Sequence, residues 1–429
     1  MLQSIMDVLI SIIRQPALFI GLIALLGLVV QGKKASDVVQ GTIKTIVGMI
    51  ILLQGVSIVI GSIGPLSNIF ANLFSTGQAG DWGTSVGPFM VEYGTLIGMV
   101  MLAAFVGNLV VARFTKFKSI YLTGNLLIWF PMLFISVAVE AGMTNQVALF
   151  FFAFIFDMLL ITISPQLMRP LVKKLTGSED FTIGHTTAPF CLMGAGIGKL
   201  INKPEESTED LNIPKSLDFL RSTTITSGLV MIILYFILAI ILFAMGRGDV
   251  VTSSGLGQYW YTGAIMQGLT FAAGTVVLLH GVRMMLAEIV PAFKGISDKF
   301  VPGAIPALDI PLVFPYGQNA LMIGFIISMI TSVATIFILG TLGLLTVVVI
   351  PLTVACFFDV APAAIFANKY GGRKAAYLTA GLGGVLMILL VAVTIPMISN
   401  TTGTFLQLYG GNEFSIWTAI ANFFANIFA

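Results

Sequence analysis

Apolar runs long enough to cross a bilayer recur along the whole chain, at 17–30, 47–63, 96–111, 147–163, 227–244, 321–339 and 378–395. They decide the fold class before any motif does. A hydrocarbon core about 30 Å thick takes roughly 20 helical residues. Backbone polar groups find no water there, so segments this apolar satisfy themselves as helices, and the alternation of a β-barrel strand is absent. With 57% hydrophobic and 9% charged residues over 429 positions, a soluble core has no way to hide the apolar surface that remains.

The net charge of +2 points to neither nucleic acid nor an acidic partner, but the distribution of charge is informative. Lys and Arg cluster at 33–44, 113–118, 169–221, 283–299 and 369–374, and the positive-inside rule makes these clusters cytoplasmic. Neither 45–112 nor 375–429 holds a Lys or Arg, so each contains an outside-facing loop, 64–92 being one. Cys191 and Cys356 lie far apart in apolar surroundings and read as small buried hydrophobes. The N-terminal 1–15, with Asp7 and Arg14 among aliphatics and no small-residue cleavage site, reads as an interfacial helix.

A self-match then suggests the architecture. Leu52-Leu53-Gln54-Gly55-Val56 pairs with Leu278-Leu279-His280-Gly281-Val282 at an offset of 226, and Gly48 with Gly274, Pro65 with Pro291 and Ile97-Gly98 with Ile323-Gly324 keep that offset. Asp180-Phe181-Thr182-Ile183 resembles Glu413-Phe414-Ser415-Ile416 at 233, which implies seven extra loop residues in the second half. Five spans separate the partners, and an odd number inverts orientation. The expected fold is therefore an all-α polytopic membrane protein of two inverted five-helix repeats, each with a re-entrant hairpin and an amphipathic helix. The spans fall at 17–31, 41–63, 93–112, 119–140, 146–168, then 223–246, 263–282, 319–340, 343–360 and 376–398. The re-entrant segments are 181–201 and 414–429, the amphipathic stretches 65–74 and 284–300, and the polar linker 202–222 is the hinge between halves.

Ionisable groups at membrane depth are costly, roughly 2.5–3.5 kcal/mol at a helix centre, so each is a functional candidate. Asp309 ranks first: Pro302-Gly303-Ala304-Ile305-Pro306 and Pro311 break the helix around it, and irregular backbone in a membrane lines a cavity or is buried in protein. Its repeat partner is Gly83, beside Thr84 and Ser85 in a second helix-breaking stretch, Trp82 to Pro88. His185 opens the first re-entrant segment, and its two-way hydrogen bonding with the hydroxyls of Thr186 and Thr187 suits a polyhydroxyl ligand; a plain helix-capping loop histidine is the competing reading. His280, beside Arg283, reads as an interfacial structural residue, and Asp157 as polar helix-contact glue ahead of function. No metal-ligand cluster, phosphate loop or nucleophile elbow is present, and no cofactor is expected.

Several blocks taken in order resemble the ascorbate-type IIC family of the bacterial phosphotransferase system: Gly41-Thr42-Ile43-Lys44, Leu122-Thr123-Gly124, Phe181-Thr182-Ile183-Gly184-His185, Gly281-Val282-Arg283-Met284, Val301-Pro302-Gly303-Ala304, and Asn368-Lys369-Tyr370-Gly371-Gly372-Arg373. The resemblance spans about residues 40 to 420. It implies a multi-pass protein of the bacterial inner membrane and a homodimer. Each protomer would have a dimer-forming scaffold (1–63 and 223–300) and a mobile core (75–201 and 301–429) that carries a small sugar or sugar acid, L-ascorbate or a relative, by an elevator motion. A separate cytosolic IIB protein would donate the phosphoryl group from a phosphocysteine. Carried over by motif, Thr84, Ser85, Asn125, Trp129, His185, Thr186, Thr187 and Asp309 line the site, with Asp309 and His185 assisting transfer. Where ascorbate members resemble Gly-His-Gln-Gln, this chain reads Gly184-His185-Thr186-Thr187, and Asn125 stands in place of a histidine. The competing class is an ion-coupled secondary transporter using Asp157, Asp309 or Asp359.

Overall fold

The computed structural model describes residues 15–74, 82–211, 222–299, 301–347 and 349–428. The segment expected as an interfacial helix falls on residues outside these, Gln15 excepted. The main helices are α1 (Pro16–Val30), α2 (Ala35–Phe74), α3 (Trp82–Phe114), α4 (Gly124–Glu140), α5 (Gln146–Thr176), α6 (Ala188–Ile201), α7 (Thr223–Ala244), α8 (Trp260–Lys299), α9 (Gln318–Thr341), α10 (Ala361–Thr394), α11 (Gly403–Tyr409) and α12 (Glu413–Phe428). Six helical segments among the described residues are long and apolar enough to cross a membrane.

α2 and α8 are each 40 residues long and pack antiparallel through glycine. A Cβ on Gly48 would meet the backbone of Met285, one on Gly55 would overlap Leu278, and one on Gly274 would meet Val59. Without aqueous solvent to drive helices together, such close backbone approach supplies the dispersion contact that holds them. Both helices run on through the stretches expected as separate amphipathic helices, and Pro65 sits inside α2 without ending it.

The second half departs from the expected spans. Residues 342–347 and 349–352 are not helical; the helix begins at Thr353, passes through a π-turn, Cys356–Val360, and enters α10. Within α10, Gly372 adopts φ +75°, ψ −169°, a region open essentially to glycine alone. The chain doubles back there. A Cβ on Gly383 would lie 2.6 Å from the Val360 side chain, whereas a straight helix would hold the two about 35 Å apart. The expected spans 343–360 and 376–398 are thus the arms of a hairpin, 353–371 and 373–394, with its corner among Lys369, Arg373 and Lys374.

The polar linker is tied down over its first half. The Thr208 N–H donates to Asn368 Oδ1 (2.9 Å), the Arg373 N–H to the Glu206 carbonyl (2.7 Å), and the Asn319 amide to the Thr208 carbonyl (3.0 Å). Glu209 accepts from the backbone N–H groups of Asn319 and Ala320 at 3.1 and 2.9 Å, which caps α9 with a carboxylate where the helix dipole is positive. Residues 202–211 therefore strap the hairpin corner to α9, and 212–221 lie outside the described residues. On the opposite side, Glu140 accepts from the side chain and backbone of Asn400, joining the α4–α5 turn to the end of α10.

The sequence reading contains no strand, yet three short ones form a parallel sheet in the order β1 (Ser119–Tyr121), β3 (Ile305–Leu308), β2 (Thr182–Ile183). Each is too short for a periodic signal. Pro306 fits the central strand because residues 305 and 307 bond toward β1, so its missing N–H faces the β2 side at a point before β2 begins. The sheet satisfies, strand to strand, backbone groups that a broken helix at this depth would leave bare.

Candidate functional site

All three strands point their carboxyl ends at one place. After β1 the chain turns at Thr123 into α4, bringing Asn125 and Trp129; after β2 comes His185; after β3 comes Asp309. The Thr123 hydroxyl donates to the Gly184 carbonyl (2.6 Å), and the Gly184 N–H donates to the Leu308 carbonyl (2.9 Å), so the three segments are fixed to one another next to the functional side chains. Opposite them stand Asp359, on the π-turn, and Asn412, just ahead of α12.

These groups enclose a cavity of about 110 Å³ lined by Asn125, Trp129, His185, Thr186, Asp309, Phe358, Asp359, Tyr409 and Asn412, and by Val59 of α2 and Leu278 of α8. At roughly 10–15 Å³ per water-sized group, that is room for about seven to eleven such groups, the size of a small monosaccharide. Trp129 stands beside Phe405, ring centroids 5.3 Å apart, as an apolar wall.

The polar geometry is specific. His185 Nδ1 accepts from the Thr187 backbone N–H (3.2 Å). In the neutral ring this places the proton on Nε2, the nitrogen 3.7 Å from Asp309 Oδ1. Asp309 Oδ1 accepts from the Ile310 N–H (2.7 Å), capping a 3-10 turn, Ile310–Tyr316. Asp359 is bound on three sides: Thr186 Oγ1 donates to Oδ1 (2.6 Å), Asn412 Nδ2 to Oδ2 (2.9 Å), and Thr187 Oγ1 to its carbonyl (2.6 Å). The Glu413 N–H donates to the Thr186 carbonyl (3.3 Å), so the leading ends of α6 and α12 touch. Among the described residues Asn125 makes no side-chain hydrogen bond, leaving its amide to the cavity.

Residues 11–413 match a family model described as the sugar-specific permease component of the phosphotransferase system. The chain belongs to this family. A phosphotransferase permease with several apolar spans is a multi-pass protein of the bacterial inner membrane. The chain is 26% identical to the ascorbate-specific EIIC component of Mycoplasma pneumoniae over 443 aligned residues, which cover 91% of this chain; it spans 66% of the length of that curated relative.

In this permease the cavity gathers Asn125, Trp129, His185, Thr186 and Asp309 from the sequence reading. Thr187 is not among its lining residues; its buried hydroxyl braces Asp359. Thr84 and Ser85 lie in the first turn of α3, a continuous helix where broken backbone was expected, and their side chains are outside what is described. His280 is exposed on α8, away from the cavity. Asp157 is fully buried in α5, and neither of its oxygens finds a hydrogen-bond partner among the described residues. Tyr409 and Asn412 are not anticipated by the sequence reading, which names Asp359 only as an ion carrier of the competing transporter class. A sequence signal for Asn412 exists: α6 and α12 begin at 188 and 413, 225 apart, and an offset of 226, the one seen between the earlier segments, would pair Asn412 with Thr186.

Proposed function

We propose that this chain is the sugar-translocating IIC subunit of a phosphotransferase system, importing a small polyhydroxyl substrate that a phosphorylated cytosolic IIB protein then modifies. One observation carries the reading: a sugar-sized cavity in which His185 Nε2 and the Asp309 carboxylate converge with the free amide of Asn125. Asp309 accepts the proton of the substrate hydroxyl as its oxygen attacks phosphorus. The P–S bond to the donor cysteine breaks, a P–O bond forms, and the thiolate leaves on IIB. His185 holds a neighbouring hydroxyl through Nε2. Among the described residues no Lys or Arg lines the cavity, and two carboxylates do, so the lining suits a neutral sugar or polyol better than an anion such as L-ascorbate.

The architecture that supports transport in this reading is a pair of inverted repeats. The antiparallel α2–α8 pair and the touching leading ends of α6 and α12 are what such a repeat would produce. The cavity lies where α2 and α8 of the scaffold (1–63 and 223–300) meet the core (75–201 and 301–429), the boundary across which an elevator would slide in each protomer of a homodimer.

The test is Asp309→Asn with purified phospho-IIB and a panel of labelled sugars, polyols and ascorbate. The variant should bind substrate yet lose phosphoryl transfer by at least about a hundredfold, the scale of a missing general base. Full transfer by Asp309→Asn refutes the role. Accumulation of unmodified label that collapses with an uncoupler would instead establish the ion-coupled transporter.

A further inference from the structure

A second cavity, of 260 Å³, opens at the cytoplasmic end of α5 between Gln166, Arg169, Pro170, Lys173, Glu179 and Phe181. Two of its side chains carry donors that have no hydrogen-bond partner among the described residues. Gln166 Oε1 accepts from Ser119 Oγ (3.2 Å), and the other end of that amide has no partner among the described residues. Arg169 likewise makes no hydrogen bond and no ion pair among the described residues. Lys173 pairs with Glu179, whose carboxyl is held below its usual range by that lysine first and by Arg169 more weakly. Two cations and one anion leave the cavity with a net positive charge.

Above it runs an unpartnered apolar strip. Ile155, Leu159, Ile163 and Leu167 recur every fourth residue of α5 and are 52%, 43%, 39% and 48% exposed. At 100° per residue, Ile155 and Leu159 stand on the same side of the helix as Gln166, Pro170 and Lys173. An apolar track one acyl chain long, ending at a cationic pocket level with the cytoplasmic basic clusters, has the layout of a phospholipid in its own leaflet.

We propose that this cavity binds the phosphate of an anionic membrane phospholipid, with Arg169, Lys173 and the Gln166 amide around the phosphate and an acyl chain along Ile155, Leu159 and Ile163. The site is separate from the sugar cavity and does not depend on the substrate reading. The full chain, purified in mild detergent, is titrated with phosphatidylglycerol or phosphatidylethanolamine and examined by native mass spectrometry. Wild type should retain phosphatidylglycerol in preference, and R169Q/K173Q should lower its retention by about thirtyfold, the product expected of two basic residues at an anionic headgroup. Glu179→Gln, on an exposed carboxylate, should raise retention, and it keeps the test open if the double variant folds poorly. Lys369→Gln, at the hairpin corner, should change nothing. Equal retention of the two lipids, unchanged retention in R169Q/K173Q or no gain in Glu179→Gln overturns the proposal. So does full displacement by millimolar inorganic phosphate, which would make this a free-anion site. Loss of phosphoryl transfer from IIB in R169Q/K173Q with lipid retention intact overturns it in favour of a protein contact.

Discussion

Asp359 holds the leading ends of two helices through separate oxygens, and an exchange with Asn412 tests that arrangement directly. Thr186 Oγ1 donates to Oδ1 at 2.6 Å and Asn412 Nδ2 donates to Oδ2 at 2.9 Å, both buried. In Asp359→Asn one acceptor oxygen becomes an NH2 group. With the new NH2 toward Asn412 two amide donors face each other; with it toward Thr186 the hydroxyl must turn its proton away from position 359. Leaving a buried donor unsatisfied costs about 1–3 kcal/mol, a factor of roughly 5 to 150 in the population of the assembled state. Asn412→Asp alone sets two carboxyls against each other and loses the donor. The double exchange D359N/N412D rebuilds the pair: the amide introduced at position 359 donates to the carboxylate introduced at position 412, and its oxygen accepts from Thr186. Unfolding of the purified permease, followed by denaturant titration in detergent, should show both single variants destabilised. The double variant should recover in part, because the Asn412 Nδ2 bond to the Tyr409 carbonyl (2.9 Å) is not restored, with a coupling energy of about 1–3 kcal/mol from the four-way cycle. If Asp359→Asn is as stable as wild type, Asp359 is not a double acceptor. If the exchange merely sums the two single losses, the geometry assigned to the pair is wrong.

Two further outcomes follow from local backbone chemistry. Gly372→Ala should cost about 1–3 kcal/mol from its glycine-only conformation alone, and more because a Cβ would strike the Lys203 and Glu206 carbonyls of the strap; a melt of the purified protein that matches wild type would show that the hairpin corner lies elsewhere. Asn145 caps α5 by accepting from the Val147 and Ala148 N–H groups at 2.9 and 3.1 Å, so Asn145→Ala should lower stability by about 0.5–2 kcal/mol with no change in substrate affinity, read by the same melt and a binding titration.

Much of this molecule was legible because lipid leaves the backbone few options. Apolar runs of the right length had to be helices, and the bounds of α1, α7 and α9 agree with the expected spans to within a turn, while α5 starts where expected and runs on past its span. Reading failed where length and hydropathy carry no information about local conformation. Residues 343–360 are apolar enough for a span, but hydropathy does not distinguish a straight helix from non-helical chain followed by a helix; the reversal beyond it was legible as the polar, basic stretch 368–374 between two expected spans. The strands were invisible for a related reason: pieces of two to four residues acquire their conformation from a partner more than a hundred residues away, as Ser119 does from Ile305.

The same distinction explains which site residues could be found. His185 and Asp309 stood out because each follows a visible break in helical sequence. Asp359 lies in an apolar run that reads as one span, and what makes it a site residue is the π-turn at Cys356–Val360, which aligns it with Thr186 and Asn412. A carboxylate mid-helix is read as costly whichever way it faces; only the turn decides that it faces hydroxyls. Asp157 supplies the contrast within one protein. It is equally buried and equally conspicuous in sequence, yet it sits on a regular helix and neither of its oxygens is bonded among the described residues. Depth in the membrane therefore marks a carboxylate as a candidate, and an irregularity of the backbone at that carboxylate is what joins it to a site.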